Sequence, residues 1–250
     1  MKDLRIVVSC VTFEVAKVLK PIIYYRADRA ILIHWGGKPP YTDFIKEVKK
    51  RLKAERIPCE ERTVMILDFS AVMREVRSII RKEKAEGNHV YVNIGAGPQV
   101  FSSAAMIACM MEGATPFNAN TKEFTVPSQK FFEKGVPVGI ARDVYDPNEI
   151  PVFGMHPPDP ELIRGLSIWK EATSRVGGRP TASVMTSMEE AGILSDIYED
   201  DRRKRISQGA LMKFRRNFLE KWEAQGWIRK GQRGKYSITP QGEMMLNIFA

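Results

Sequence analysis

The feature that most constrains this chain is an alternation running through its first 155 residues. Short runs that are apolar at almost every position are separated by segments of helix length. A strand with one wet face alternates polar and apolar residues, whereas a strand apolar throughout must be covered on both faces. Helices packed on either side of a mostly parallel sheet supply that cover. The runs predict strands at residues 4–9, 30–34, 63–68 and 90–94, and helices over 13–27, 41–56, 71–85 and from Ser102 onward. Phe44, Ile45, Val48 and Leu52 fall on one face of the second helix. Runs at 136–141 and 150–154 read as late strands, antiparallel or at an edge. The fold class is therefore α/β, a Rossmann-like, mostly parallel sheet. Such sheets bind ligands beyond the carboxyl ends of their strands.

Two of those ends stand out: Ser9-Cys10-Val11-Thr12-Phe13, and Asn93 to Val100. The second lies in "YVNIGAGPQVFSSAAMIACMM", residues 91–111, where a strand breaks at Gly95 and Gly97 and runs into a helix of small side chains. A helix start presents unsatisfied N–H groups and favours an anion, usually phosphate. The alternative is a tight turn in which the glycines supply only unusual backbone angles. His34 and Trp35 end the second strand, either closing the core or bordering a pocket. Asp68 stands where it caps the third helix, and Met106, Met110 and Met111 read as core or dimer interface.

At 250 residues the chain has room for a core and a second, smaller one. No apolar run approaches the ~18 residues of a membrane span. The opening Met1-Lys-Asp-Leu-Arg does not read as a signal peptide, so a cytoplasmic protein with no membrane partner is expected. Cys10, Cys59 and Cys109 are widely spaced, as are His34, His89 and His156. Neither a disulfide framework nor a metal site is expected, and no cofactor.

Net charge is +9, and its densest part is local. Residues 202–235 hold twelve basic side chains against Glu220 and Glu223. The prolines of Met155-His-Pro-Pro-Asp-Pro160 mark a linker. This divides a sensing domain, 1–155, from a domain at 161–250, with 156–160 between them. In the second, helices are expected at 161–175, 182–192 and 207–225, the last burying Leu211, Phe214, Phe218 and Trp222. A hairpin from Trp227 to Ile238 follows, and then a helix with Pro240 in its first turn. That order describes a C-terminal winged helix-turn-helix, whose helix enters a major groove while the hairpin reaches phosphates. Ser207 caps the helix; Gln208, Gly209, Lys213, Arg216 and Asn217 face outward. Arg229, Lys230, Arg233 and Lys235 are the candidate phosphate contacts. Double-stranded DNA is the expected partner, with a solvated charged surface as the alternative.

With both halves read, "RIVVSCVTFEVAKVLKPIIYYRADRAILIH", "YVNIGAGPQVFSSAAMIACMMEGATPFNAN" and "LEKWEAQGWIRKGQRGKYSITPQG" together resemble one family. It is that of transcriptional regulators joining a CRISPR-associated Rossmann-fold (CARF) or CARF-like domain to a winged helix-turn-helix. The resemblance implies a homodimer with a nucleotide, such as cyclic oligoadenylate, in a cleft across the two-fold axis. Carried over by position, the ligand-binding residues are Cys10, Val11, Thr12, Phe13, Asn93, Gly95, Ala96, Gly97, Pro98 and Gln99. Pro98-Gln99 departs from the family's frequent Thr-Lys, removing one backbone donor and one positive charge.

The expected function is thus a ligand-responsive DNA-binding regulator rather than an enzyme. Two alternatives stand beside it. One is cleavage of a cyclic oligonucleotide, assisted by Thr12, Asn93, Ser102 or Ser103; neither loop carries His, Lys or a carboxylate. The other is a basic docking module for a protein or RNA.

Overall fold

The computed structural model describes residues 3–125, 131–176, 182–200, 205–231 and 235–250. The chain divides into two compact units, Met1–His156 and Pro157–Ala250.

In the first unit the order is β1 (Arg5–Cys10), α1 (Ala16–Tyr24), β2 (Arg29–His34), α2 (Tyr41–Ala54), β3 (Cys59–Thr63), α3 (Phe69–Ala85), β4 (His89–Asn93), α4 (Gln99–Glu112) and β5 (Thr115–Asn118). Five short strands complete it: β6 (Thr121–Phe124), β7 (Phe132–Glu133), β8 (Val136–Pro137), β9 (Ala141–Val144) and β10 (Asn148–Glu149). The main sheet runs β10-β5-β4-β1-β2-β3. All its pairings are parallel except β10 against β5. The expected Rossmann-like layout is present. Val7 and Leu32 pack with α1 and α2 residues such as Val18, Ile22, Phe44 and Leu52. By strand alternation Ile6, Val8, Ile31 and Ile33, all buried, face the opposite side.

The third strand departs from expectation. It is Cys59–Thr63, "CEERT", and not residues 63–68. Pairing only β2, it is an edge strand, and edges tolerate charge. The apolar residues 64–67 lie in the loop that follows, with Met65 and Leu67 exposed. Of the late runs, 136–141 contains only β8 and the start of β9, while β10 stops before Ile150.

The second unit holds α5 (Pro160–Val176), α6 (Ala182–Glu190), β11 (Tyr198–Asp200), β12 (Arg205–Ile206) and α7 (Gln208–Phe214). A π-helical segment, Arg215–Leu219, continues α7 into α8 (Glu220–Ala224). The hairpin β13 (Ile228–Lys230) and β14 (Tyr236–Ile238) and then α9 (Pro240–Phe249) follow. Its core gathers Leu162, Leu166, Trp169, Val184, Met188, Phe214, Phe218 and Trp222, and the Trp222 indole donates to the Leu162 carbonyl at 3.0 Å. The expected stripe needs one correction: Leu211 is exposed, while Ala210 and Leu219 are buried. A π turn holds more residues than an α turn and shifts the phase of the faces. Ala210 and Phe214 therefore point inward before it, and Phe218, Leu219 and Trp222 after it.

Candidate functional site

The chain begins its main sheet in the middle. From β1 it moves outward to β2 and β3, then crosses back to β4 on the other side of β1. The connections from β1 and β4 therefore leave in opposite directions, which opens a crevice at the carboxyl ends of these two strands. A cavity of about 420 Å³ lies there.

One of its walls is the segment after β4. Asn93, fully buried, holds that segment from beneath. Its Nδ2 donates to Ser9 Oγ at 3.0 Å and to the Lys17 carbonyl at 2.8 Å, while its Oδ1 accepts from the Gly95 N–H at 3.0 Å. Thr12 Oγ1 donates to the Ala96 carbonyl at 2.9 Å, tying the two loops together. Gly95 and Gly97 are absent from the left-handed backbone positions of the chain. Close approach demands them instead. A Cβ on Gly95 would stand 1.9 Å from Asn118 Oδ1, and one on Gly97 would stand 2.6 Å from the buried Phe101 ring. Pro98 then precedes α4 without a side-chain cap. The first N–H groups of a helix have no partner within the helix itself.

Of the ten residues expected here, Thr12, Phe13, Gly95, Ala96, Gly97 and Pro98 line the cavity. Cys10, Val11 and Asn93 do not, and Gln99 is exposed outside the lining. Cys10 and Val11 are fully buried beneath it, and burial pushes the Cys10 thiol far above its ordinary range.

The remaining walls come from elsewhere in the unit: Glu14, Lys17, Trp35, Tyr41, Ile66, Leu67, Phe131 and Ile140. The Phe13 ring stands 5.6 Å from that of Tyr41 and 5.5 Å from that of Phe131, and Trp35 lies 5.3 Å from Tyr41. Tyr41 donates its hydroxyl proton to the Val11 carbonyl. Trp35 is 44% exposed. His34 is buried instead. Its Nδ1 accepts from the Gly36 N–H at 3.0 Å, which places the ring proton on Nε2, 3.2 Å from Glu61 Oε2.

Two charged groups that the loop sequences did not reveal enter from either side of the α1 start, Glu14 before it and Lys17 in its first turn. Glu14 is buried, and its Oε2 accepts from the Ala141 N–H at 3.0 Å. Burial pushes this carboxyl above its ordinary range, and the Ala141 N–H and the nearby Lys17 only partly oppose that. The apolar character of residues 64–67 is the sequence signal for another wall, since Ile66 and Leu67 line the cavity and do not belong to a strand. The cavity is thus largely apolar, with four aromatic rings, one cation, one carboxylate and the glycine turn in its lining. Such a lining suits a planar, largely apolar ring carrying a few polar groups.

In the second unit, Gln208, Gly209, Lys213, Arg216, Asn217, Arg229, Lys230 and Lys235 are all exposed. Ser207 is half-buried and accepts from the Ala210 N–H at 3.1 Å, acting as the helix cap. Arg233 lies outside the described residues. Arg215 is exposed and pairs with Glu220 at 3.1 Å. Lys213 and Asn217 also border a separate cavity of about 440 Å³ beside Asp159, Glu161 and the loop at Ile193. No group of three or more potential metal ligands occurs among the described residues, and no described helix is long and apolar enough to cross a membrane.

A family model described as "HFX_2341_N:-like, N-terminal" matches residues 5–124. Comparison with curated proteins returned no match. Among solved structures, Csm6 of Enterococcus italicus, bound to cyclic hexa-2'-fluoro-hexa-dAMP, is 13% identical. That match covers 86% of this chain and 59% of the other, with a TM-score of 0.44. Protein VC1899 of Vibrio cholerae is 13% identical, with coverage of 97% and 64% and a TM-score of 0.41. Can2 of Sulfobacillus thermosulfidooxidans, in complex with cyclic tetra-adenylate, is 11% identical, with coverage of 97% and 63% and a TM-score of 0.40. The chain spans less than two thirds of each of these proteins, and what it shares with the family model is confined to the sheet-bearing unit.

Proposed function

We propose that this chain is a ligand-responsive, DNA-binding transcriptional regulator. Its first unit senses a nucleotide at the β1/β4 crevice, and its second unit is a winged helix-turn-helix that binds duplex DNA. The observation that carries the reading is the combination of the two sites in one chain. A cavity walled by four aromatic rings stands at the switch point of a parallel sheet, and a capped helix and hairpin elsewhere expose Lys213, Arg216, Arg229, Lys230 and Lys235.

The cavity suits a nucleobase, with Trp35 and Phe13 available for stacking and the carboxylate of Glu14 for an amino group. Phosphates are better accommodated at the uncapped start of α4 and at Lys17. A volume of about 420 Å³ holds one nucleotide better than a whole ring of them. A cyclic oligoadenylate therefore requires two cavities related by a two-fold axis, so the reading includes a homodimer. Ligand preference for one arrangement of the dimer changes the spacing of the recognition helices, and with it operator affinity.

Footprinting of genomic fragments, with and without cyclic oligoadenylates, tests this directly. Protection of an inverted repeat with half-sites about one helical turn or a multiple apart is expected. Absence of any protected palindrome removes the DNA-binding half. For the sensing half, mass spectrometry of released small molecules is paired with thermal shift of the Trp35→Ala variant. A nucleotide bound equally well without the indole removes the proposed stacking. Linear product appearing from labelled cyclic tetra-adenylate would convert the regulator into a nucleotide-cleaving enzyme.

A further inference from the structure

The first unit carries a second concave surface that neither the sheet topology nor the C-terminal unit accounts for. A groove of about 660 Å³ is lined by Lys46, Lys49, Lys50, Lys53, Arg56, Ile57, Pro58 and Cys59. Five of the eight lining residues are cationic and none is acidic. Lys46, Lys49, Lys50 and Lys53 follow the i, i+3, i+4, i+7 spacing that puts them along one side of α2, over about 10 Å of helix. Arg56 follows at the helix end, in the left-handed region (φ 59°), where glycine is the less costly residue. Ile57, Pro58 and Cys59 complete the lining and lead into edge strand β3.

Partners within the chain neutralise only part of this charge. Lys49 is paired with Glu61, and Lys46 and Lys50 stand 3.6 Å from Asp43 and Glu47. The Lys46 contact is exposed and contributes little, while Glu47 is buried and shared between Lys50 and Arg51. Lys53 and Arg56 have no carboxylate partner among the described residues. Like charges at i and i+4, as in Lys46 with Lys50 and Lys49 with Lys53, oppose helix formation. The chain retains this repulsion on a helix whose other face is fully occupied by the core.

We propose that this groove is a second nucleic-acid contact, binding the phosphodiester backbone of duplex DNA without regard to sequence. Ammonium groups act on phosphates as point charges and need no particular base. The groove has no aromatic residue on which an unpaired base would stack, which argues against a single-stranded ligand. Its concave form accepts a rod-like strand and not a flat anionic bilayer, and Ile57 and Pro58 offer apolar surface to the sugars. The proposal extends the DNA-binding reading but places the contact on residues independent of the second unit.

The test uses the full chain and duplexes of arbitrary sequence, with affinity followed by fluorescence anisotropy across a salt series. Each phosphate contact contributes roughly −0.9 to the slope of log K against log salt. In the variant Lys46→Gln, Lys50→Gln, Lys53→Gln, Arg56→Gln the slope should shrink by about 2 to 4, with at least roughly tenfold weaker binding at low salt. Melting no lower than wild type would show that the fold is intact, since repulsion has been relieved. A companion variant, Lys46→Arg, Lys50→Arg, Lys53→Arg, should keep the wild-type slope. The same loss should appear in a background carrying Lys213→Ala, Arg216→Ala, Arg229→Ala and Lys230→Ala. An unchanged slope in the glutamine variant overturns the groove while leaving the second unit's role intact. So does a preference for vesicles containing anionic lipid over duplex. Wild-type protein that binds no duplex even at low salt overturns both readings together.

Discussion

Two helices start beside the two proposed sites, and they start differently. At α4 the preceding residue is Pro98, which offers no side-chain acceptor, and the turn before it is packed from below by Asn93 and Phe101. At α7 the hydroxyl of Ser207 accepts the Ala210 N–H and satisfies part of the first turn within the chain. The first helix start therefore has backbone donors to spare, inside a concave aromatic setting. At the second, the exposed side chains of Lys213, Arg216 and their neighbours must do any recognising. An uncapped start in a crevice and a capped start on an exposed face are suited to different ligands, a bound nucleotide and a polyanionic groove.

The comparison breaks most decisively if the two units fail to behave independently. Trp222→Ala removes a fully buried indole from the second core, at a cost of about 3–5 kcal/mol. Calorimetry should show the second unit melting early and anisotropy should show duplex binding lost, while ligand uptake by the first unit persists. Loss of both functions would mean that the cavity depends on the other unit.

Smaller, and aimed at recognition rather than folding, is Lys213→Ala combined with Arg216→Ala. Both side chains are exposed, so melting should be unchanged. Operator affinity should fall by about 1–3 kcal/mol for each base contact removed. Equal weakening on every duplex, measured by competition, would reassign these residues to phosphates.

A pair of alanine substitutions sharpens the contrast between the helix starts. Gly97→Ala drives a Cβ into the buried Phe101 ring and should cost about 1–3 kcal/mol by denaturant melting. Gly209→Ala meets nothing closer than Ser207 Oγ at 4.0 Å and should stabilise α7 by up to about 1 kcal/mol. If Gly209→Ala instead lowers duplex affinity without affecting stability, DNA approaches that position closely.

The smallest effect concerns Glu14. Burial raises its carboxyl pKa in the folded chain, so its contribution to stability is fully present below the ordinary carboxylate range and is lost as pH rises through the folded value. Glu14→Gln removes that titration and keeps an oxygen for the Ala141 N–H. The variant should gain stability relative to wild type across the window that opens as pH rises above the ordinary carboxylate range. A constant difference across that window would show that Glu14 is not held out of its ordinary range.

Much of the sheet could be read from apolar runs, since β1, β2 and β4 are buried on both faces and carry the pattern that burial imposes. The edge strand β3 could not, because Glu60, Glu61 and Arg62 need no cover at an edge. Conversely, residues 64–67 are apolar without being a strand, because Ile66 and Leu67 line a cavity. Both errors have one cause: hydrophobicity reports contact with apolar surroundings and not the element that makes it. The phase of the basic helix was misjudged at Leu211 for another reason, as a π turn leaves no mark in a pattern of polar and apolar residues.

What the amino-acid order determined by itself was local and periodic: the strands buried on both faces, the amphipathic α2, the Ser207 cap and the place of the glycine turn after β4. Tertiary structure alone decided which sides of that turn mattered. Asn93 is a buried support beneath the turn, and Gly95 and Gly97 answer to close packing rather than to backbone angle. Glu14, Lys17, Trp35, Tyr41 and Phe131 joined the cavity from distant segments. The reason is physical: periodicity is set by neighbours a few bonds away, whereas a cavity is set by the order of strands in the sheet, through contacts between residues up to 127 positions apart.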